Sequence, residues 1–165
     1  MFDVAIIDYN NSNLFSVNSA CNKVGLKSII TNNADKIIKS KSIILPGVGS
    51  FNIAMKRLVD MKLDQLIYEF YKKEKPIFGI CLGMQLLFKE SFEFEKKLGL
   101  NLLDGKVIKL QDSSINNLNF RVPHIGWSKL YVNYKNNHNS ILEGVDKNAY
   151  MYFVHSFKVN VMQKN

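Results

Sequence analysis

The chain has 165 residues, of which 47% are hydrophobic and 12% aromatic, and its net charge is +8. These values are typical of one globular domain and exclude a disordered chain. No apolar run approaches the roughly 20 residues that cross a bilayer. The lysines are dispersed and only Arg57 and Arg121 are arginine, which favours a solvated surface over a nucleic-acid interface.

The chain start and the cysteines indicate the compartment. The first apolar segment lies between Asp3 and Asp8 and has no basic n-region or cleavage site, so we expect no secretory signal. Cys21 and Cys81 fit neither a cytosolic disulfide nor the paired spacing of a zinc site. We therefore expect a cytoplasmic protein with no membrane or nucleic-acid partner.

The first half of the chain alternates short apolar runs with amphipathic segments. The predicted strands are Val4–Asp8, Ser28–Thr31, Ser42–Leu45 and Ile77–Ile80. The predicted helices follow the turn and N-cap residues Asn10-Asn11-Ser12 and close at Gly25, carry Leu63, Leu66, Ile67 and Phe70, and run from Cys81 through Met84, Leu87 and Phe88. Cys21 lies on the apolar stripe of the first helix and is expected in the core. Such alternation predicts a parallel sheet covered on both faces.

After Gly99 the predicted strands have no helices between them. They are Val107–Leu110, Leu130–Asn133, Tyr150–Val154 and Phe157–Val161. We expect them to form an antiparallel or mixed extension of the sheet, within a single α/β domain that covers residues 1–165.

Two glycine-containing turns carry the chemical signal. Gly79-Ile80-Cys81-Leu82-Gly83 lies between a strand and a helix, and this pattern has the logic of a nucleophile elbow, in which a sharp turn lifts the thiol above the sheet edge. The N–H after the nucleophile then faces a developing oxyanion. Pro46-Gly47-Val48-Gly49 ends the preceding core strand and becomes a candidate second half of the oxyanion hole.

Five segments in order resemble the class I glutamine amidotransferases, in particular the glutaminase subunits of imidazole glycerol phosphate synthase. They are Asp8-Tyr9 with Asn13-Leu14, Leu45–Phe51 with Ala54-Met55, Lys75–Phe88, Val122–Trp127 and Tyr152–Ser156. Met84 favours this subfamily within the class, because many related amidotransferases have histidine at the corresponding position. The resemblance implies a flavodoxin-like three-layer α/β sandwich with a mostly parallel central sheet, the last strands and helix being missing from this chain.

The same resemblance implies roles for particular residues. Cys81 would attack the side-chain amide of glutamine, and Val48 and Leu82 would hold the oxyanion. The residues implied in glutamine binding are Gly47, Gly49, Gln85, Ser156 and Phe157. The residues implied at the interface with a (β/α)8-barrel cyclase subunit, which would use the ammonia in histidine biosynthesis as the other half of a heterodimer, are Asn13, Trp127 and Tyr152. No metal or other cofactor is implied.

One part of the family pattern is missing. The family has a histidine base, held by a glutamate, in a Phe-His-Pro-Glu segment near its C-terminus, and this chain ends at Asn165 without one. We expect His124, His138 and His155 to be non-catalytic. The prediction is therefore an incomplete domain with no appreciable glutaminase activity of its own.

Several explanations stay open at this point. The chain could be a truncated gene product or fragment, a non-catalytic docking subunit, or one part of a site that a separate chain completes. A paralogous amidotransferase that feeds ammonia to a sugar-modifying synthetase in surface polysaccharide assembly would have a similar sequence.

Overall fold

A computed structural model describes residues 1–115, 118–130, 141–146 and 148–161. The chain forms two compact units, the first made of Met1–Ile108 with Lys158–Asn165 and the second of Lys109–Phe157. Each unit is described by itself. Within the described ranges, none of the helices is both long and apolar enough to cross a membrane.

The first unit alternates strands and helices before it becomes all-β. Its first nine elements are β1 (Val4–Ile7), α1 (Leu14–Lys23), β2 (Ser28–Thr31), α2 (Ala34–Lys39), β3 (Ser42–Gly47), α3 (Phe51–Asp60), α4 (Leu63–Lys72), β4 (Ile77–Cys81) and α5 (Leu82–Leu86). They are followed by β5 (Phe88–Ser91), β6 (Lys97–Leu98) and β7 (Leu103–Lys109). The second unit contains β8 (Ser113–Ile115), β9 (Leu118–Phe120), β10 (His124–Lys129) and β11 (Tyr150–His155), and the chain then enters β12 (Phe157–Asn160).

The central sheet of the first unit is parallel and has the order β2-β1-β3-β4. All four residues of β1 are buried, so both faces of this strand are covered. On one face Val4 and Ile6 pack with Cys21 of α1, which confirms Cys21 as a core residue. The other face carries Ala5 and Ile7, which are fully buried. The predicted α/β class with a mostly parallel sheet is confirmed.

The ends of α1 show why it forms where it does. The N-cap is Asn13, whose Oδ1 accepts a hydrogen bond from the Ser16 N–H at 3.3 Å. The predicted N-cap within Asn10-Asn11-Ser12 is therefore wrong by one residue. Gly25 follows the helix at φ +79°, the left-handed conformation expected of a C′ glycine.

Three helix predictions need correction. The structure adds α2, and it adds α3, whose buried residues Phe51, Ala54, Met55 and Leu58 recur at helical spacing. The helix after Cys81 ends at Leu86 and does not continue to Phe88, which begins β5 and pairs with Leu103. Phe88 is buried and its ring lies beside Gly105 of β7, so strand pairing outweighs the local helical pattern.

The later strands do not extend the parallel sheet. They form a mixed sheet of order β12-β7-β5-β6, a β10-β11 ribbon and a β8-β9 hairpin. The predicted extension is therefore wrong, because these strands pair with one another. In the predicted strand Leu130–Asn133, Leu130 lies outside any strand and residues 131–133 lie outside the described ranges.

Candidate active site

Cys81 lies at the turn between β4 and α5. It is the last strand residue and the N-cap of the helix, with φ +53° and ψ −118°. This conformation is rare for a side-chain-bearing residue and costs on the order of 1–3 kcal/mol. The residue is exposed, so the strained turn presents its thiol to solvent, as an elbow requires.

The glycines beside Cys81 permit this turn. A Cβ at Gly79 would overlap the backbone of Met84, and a Cβ at Gly83 would overlap the Leu45 carbonyl. Only glycine lets the first turn of α5 lie directly against the backbones of β3 and β4. The sequence motif thus has a steric explanation in the structure.

The predicted oxyanion loop lies beside the elbow. Gly47 is the register partner of Cys81, and Val48 follows it with half of its side chain exposed. The Val48 N–H donates to the Asn11 carbonyl oxygen at 3.0 Å, and the Asn11 side-chain amide donates to the Val48 carbonyl oxygen at 2.5 Å. Both polar groups of Val48 are thus engaged by one residue of the β1–α1 loop.

Arg57 of α3 stabilises that loop. Its guanidinium donates to the Asn10 carbonyl oxygen and, at 3.1 Å, to the Asn11 side-chain oxygen. No sequence pattern indicates Arg57, since a contact across 46 positions leaves no local signal. Arg57, Asn11 and Val48 therefore form one hydrogen-bonded chain.

Tyr9 contacts the segment that leads into this loop through a buried hydrogen bond. Its side chain is fully buried and its hydroxyl donates to the Pro46 carbonyl oxygen at 2.7 Å. Burial raises the pKa of Tyr9 above its usual 10.0, the Arg57 charge opposes the shift and the Cys81 charge adds to it. A Cβ at Gly47 would lie 2.6 Å from the Tyr9 hydroxyl oxygen, so Gly47 has a packing role in addition to any predicted contact with ligand.

Glu93 holds the far end of the loop. Its Oε2 accepts a hydrogen bond from the Phe51 N–H at 2.6 Å, at the start of α3, where a carboxylate also interacts favourably with the helix dipole. The N-cap residue Ser50 makes no side-chain cap itself. No sequence pattern indicates Glu93 either, because nothing local relates it to a helix that begins 42 positions earlier.

The remaining predicted residues of this unit lie at defined places. Leu82 is the first residue of α5 and is buried, Gln85 lies on the same helix and is partly exposed, and Gly49 is exposed at φ +86°. Asn13 caps α1. Their roles toward glutamine or a partner stay predictions.

Four predicted site residues belong to the second unit. Trp127 and Tyr152 are register partners on the β10–β11 ribbon, and their rings meet edge to face at 5.6 Å. They are 70% and 56% exposed, so an apolar pair is open to a partner. Ser156 and Phe157 follow the ribbon, and the Ser156 carbonyl oxygen accepts a hydrogen bond from the Leu110 N–H at 2.8 Å.

The first unit contains no histidine that could act as a base for Cys81. The sequence has histidine at 124, 138 and 155, all between the two stretches that form that unit. His124 and His155 contact each other through ring nitrogens 3.0 Å apart, while His138 lies outside the described residues.

Comparison with known proteins gives a consistent family. Residues 5–165 match the family described as "Glutamine amidotransferase class-I". The chain is 40% identical over 154 residues to imidazole glycerol phosphate synthase subunit HisH of Wolinella succinogenes, covering 93% of this chain and 73% of that protein. HisH of Sulfurimonas denitrificans is 42% identical over 154 residues, with 93% and 72% covered.

A third relative and a solved structure agree with this family. HisH of Bacillus subtilis is 39% identical over 162 residues, covering 98% of this chain and 74% of that protein. A structure described as "Crystal structure of glutamine amidotransferase" has a TM-score of 0.56 at 18% identity. That match covers 65% of this chain and 56% of the solved chain, and it supports the fold alone.

Proposed function

We propose that this chain, which belongs to the class I glutamine amidotransferases, provides the nucleophile, but not the general base, of the glutaminase subunit of an imidazole glycerol phosphate synthase in histidine biosynthesis. The observation that carries the proposal is the exposed thiol of Cys81, held at φ +53° at the end of β4. Its register partner Gly47 begins the glycine turn that carries Val48. A nucleophile beside a loop with backbone N–H groups suits acyl transfer.

In the proposed reaction the Cys81 thiolate attacks the Cδ carbonyl carbon of glutamine, and the carbonyl electron pair moves onto the oxygen. Collapse of this tetrahedral intermediate breaks the C–N bond, and the nitrogen leaves as ammonia after accepting a proton from water. The resulting γ-glutamyl thioester is hydrolysed by water, which yields glutamate and restores the thiol.

The oxyanion would be held by the N–H groups of Leu82 and Val48. Leu82 is the first residue of α5, and N–H groups in a first helical turn lack an intrahelical acceptor. The Val48 N–H donates to the Asn11 carbonyl oxygen, so it must exchange that acceptor for the oxyanion. Glycine on both sides of Val48 makes such a peptide rotation inexpensive.

Substrate contacts are proposed from the family pattern. Glutamine would be gripped by Gly47, Gly49, Gln85, Ser156 and Phe157, partly through main-chain groups. The exposed position of Gly49 supports its part, because its backbone is open to a ligand.

The partner proposed for this chain is a (β/α)8-barrel cyclase subunit, joined as a cytoplasmic heterodimer. Asn13, Trp127 and Tyr152 would contact it. The support is the exposed aromatic pair of Trp127 and Tyr152, since aromatic residues of this kind are enriched among interface hot spots.

Tryptophan fluorescence tests the partner, because Trp127 is the single tryptophan of the chain. Titration with a tryptophan-free cyclase subunit should shift its emission to the blue as the ring leaves water. Tyr152→Ala should weaken the complex about tenfold or more, whereas Phe94→Ala, at an aromatic residue that is also exposed, should not. An unchanged spectrum together with separate elution on a sizing column would refute the docking proposal.

Ammonia release tests the catalytic part. General acid–base help contributes about 10²–10⁴ in rate, and the sequence contains no Phe-His-Pro-Glu segment to supply it. We therefore expect this chain, with the cyclase subunit present, to release ammonia no faster than its Cys81→Ser variant. Steady release that Cys81→Ser abolishes would show that another group supplies the base.

A further inference from the structure

Three consecutive hydrogen bonds run through side chains of the β10–β11 ribbon and end at the main chain that follows it. The Ser128 hydroxyl lies 2.9 Å from His124 Nε2, and His124 Nδ1 lies 3.0 Å from His155 Nε2. His155 Nδ1 lies 2.9 Å from the Phe157 carbonyl oxygen. His124 also stacks on Phe153, with ring centroids 5.2 Å apart.

The chemistry of the last acceptor determines the proton on each neutral ring. A carbonyl oxygen can only accept, so His155 must carry its proton on Nδ1. Its Nε2 then has a lone pair, which accepts from His124 Nδ1–H. His124 Nε2 is left as the acceptor of the Ser128 hydroxyl proton. Each ring is thus fixed in its Nδ1–H tautomer by the next group along the chain.

The same contacts fix two consecutive peptide groups. The Ser156 carbonyl oxygen accepts from the Leu110 N–H, and the Phe157 carbonyl oxygen accepts from His155. A trans peptide is planar, so the N–H that follows a carbonyl points in the opposite direction. The directions of the Phe157 and Lys158 N–H groups are therefore set once both carbonyl groups are held.

We propose that His155, held by His124 and Ser128, is a positioning residue for glutamine binding by the main chain at Ser156 and Phe157. The inference rests on the glutamine-binding role proposed above for those two residues. His155 acts through the Phe157 peptide and does not itself touch the substrate. The hydrogen-bonded side chains give the main chain at Ser156 and Phe157 one orientation before glutamine binds. This lowers the free-energy cost of ordering that main chain on binding.

Glutamine affinity, measured by calorimetry in a Cys81→Ser background, tests the proposal without turnover. His155→Ala removes the donor to Phe157 and should weaken glutamine binding about fivefold, the value of one hydrogen bond. His155→Asn keeps a donor where Nδ1 lay and should bind within about twofold of the parent. Ile125→Ala, at an exposed neighbour of His124, is the control and should leave affinity unchanged.

Imidazole nitrogen NMR of the unsubstituted chain supplies a readout that does not depend on how a variant folds. His124 and His155 should both appear as neutral Nδ1–H tautomers. An Nε2–H tautomer at His155, or equal affinity of His155→Ala and the parent, overturns the positioning role alone. Failure of the parent to bind glutamine overturns the proposed function, and this inference with it.

Discussion

Replacing Gly83 with alanine tests the steric basis of the elbow. The new Cβ would lie 2.6 Å from the Leu45 carbonyl carbon and 3.0 Å from that of Pro46, and it would overlap the Leu45 oxygen. All three atoms belong to the backbone of β3, so no side chain can turn away. Since carbon atoms pack at about 3.5–4.0 Å, α5 and β3 must separate by about 1 Å.

Two opposing effects decide the sign of this change. Alanine is favoured over glycine within a helix by about 1 kcal/mol. Overpacking against a rigid neighbour costs about 3 kcal/mol, so the net loss in the free energy of unfolding should be about 2 kcal/mol. That is a substantial share of a total stability of about 5–15 kcal/mol.

Urea unfolding of Gly83→Ala measures the loss. Gly25→Ala is a suitable reference, because a Cβ there meets nothing within 4 Å and only the left-handed φ of +79° is unfavourable, at about 1 kcal/mol. Alkylation of Cys81 by iodoacetamide should also proceed at more than one rate in Gly83→Ala. The buried Cys21 should stay protected. A Gly83→Ala variant as stable as the parent would refute the steric reasoning.

Three further outcomes are expected. Burial raises the pKa of Tyr9, so stability should fall as the pH rises above about 10, where the unfolded phenol ionises first; Tyr9→Phe should reduce this dependence in thermal melts compared across pH. The pKa of Glu90 is lowered by hydrogen bonds from two lysines, so its contribution should be present above about pH 4.5 and be lost as the pH falls through the lowered value; acid titration of Glu90→Gln should lack that loss. Asn11→Ala removes the side-chain bond to the Val48 carbonyl oxygen, and amide hydrogen exchange at Val48 should speed up about fivefold, whereas unchanged exchange would exclude the Asn11 side chain as a group that holds the loop.

The parallel sheet could be predicted because its strands are short, continuous apolar runs. The predicted Ser28–Thr31 coincides with β2, and the predicted Ile77–Ile80 falls one residue short of β4. β1 is buried along its whole length, and a continuous apolar run is typical of such a strand in a parallel sheet. By contrast, Leu86-Leu87-Phe88 is equally apolar as a helix or a strand, so only its pairing with β7 decides its structure.

The two helices that were not predicted, α2 and α3, differ in how clearly the sequence shows a helical period. α2 spans six residues and buries only Ile37, too little to show a helical period. α3 does show one, in Phe51, Ala54, Met55 and Leu58, but its first residue also belongs to the glycine-turn segment, so the helical period overlaps that motif.

The candidate site also contains residues that a local sequence pattern predicts and residues that it does not. Gly79, Cys81 and Gly83 are neighbours in sequence, and their strained turn can be read from the motif. Arg57 and Glu93 reach the oxyanion loop across 46 and 42 positions. Their contacts depend on how α3 and the segment after β5 fold back, which no local pattern encodes.

Covalent labelling by 6-diazo-5-oxo-L-norleucine, a glutamine-mimicking electrophile, tests most directly whether Cys81 is a glutamine-specific nucleophile. Intact-mass and peptide analysis should find a single adduct on Cys81, formed with saturation, slowed by L-glutamine and absent in Cys81→Ser. Labelling that L-glutamine does not slow, or that is equal at Cys21, would contradict the account.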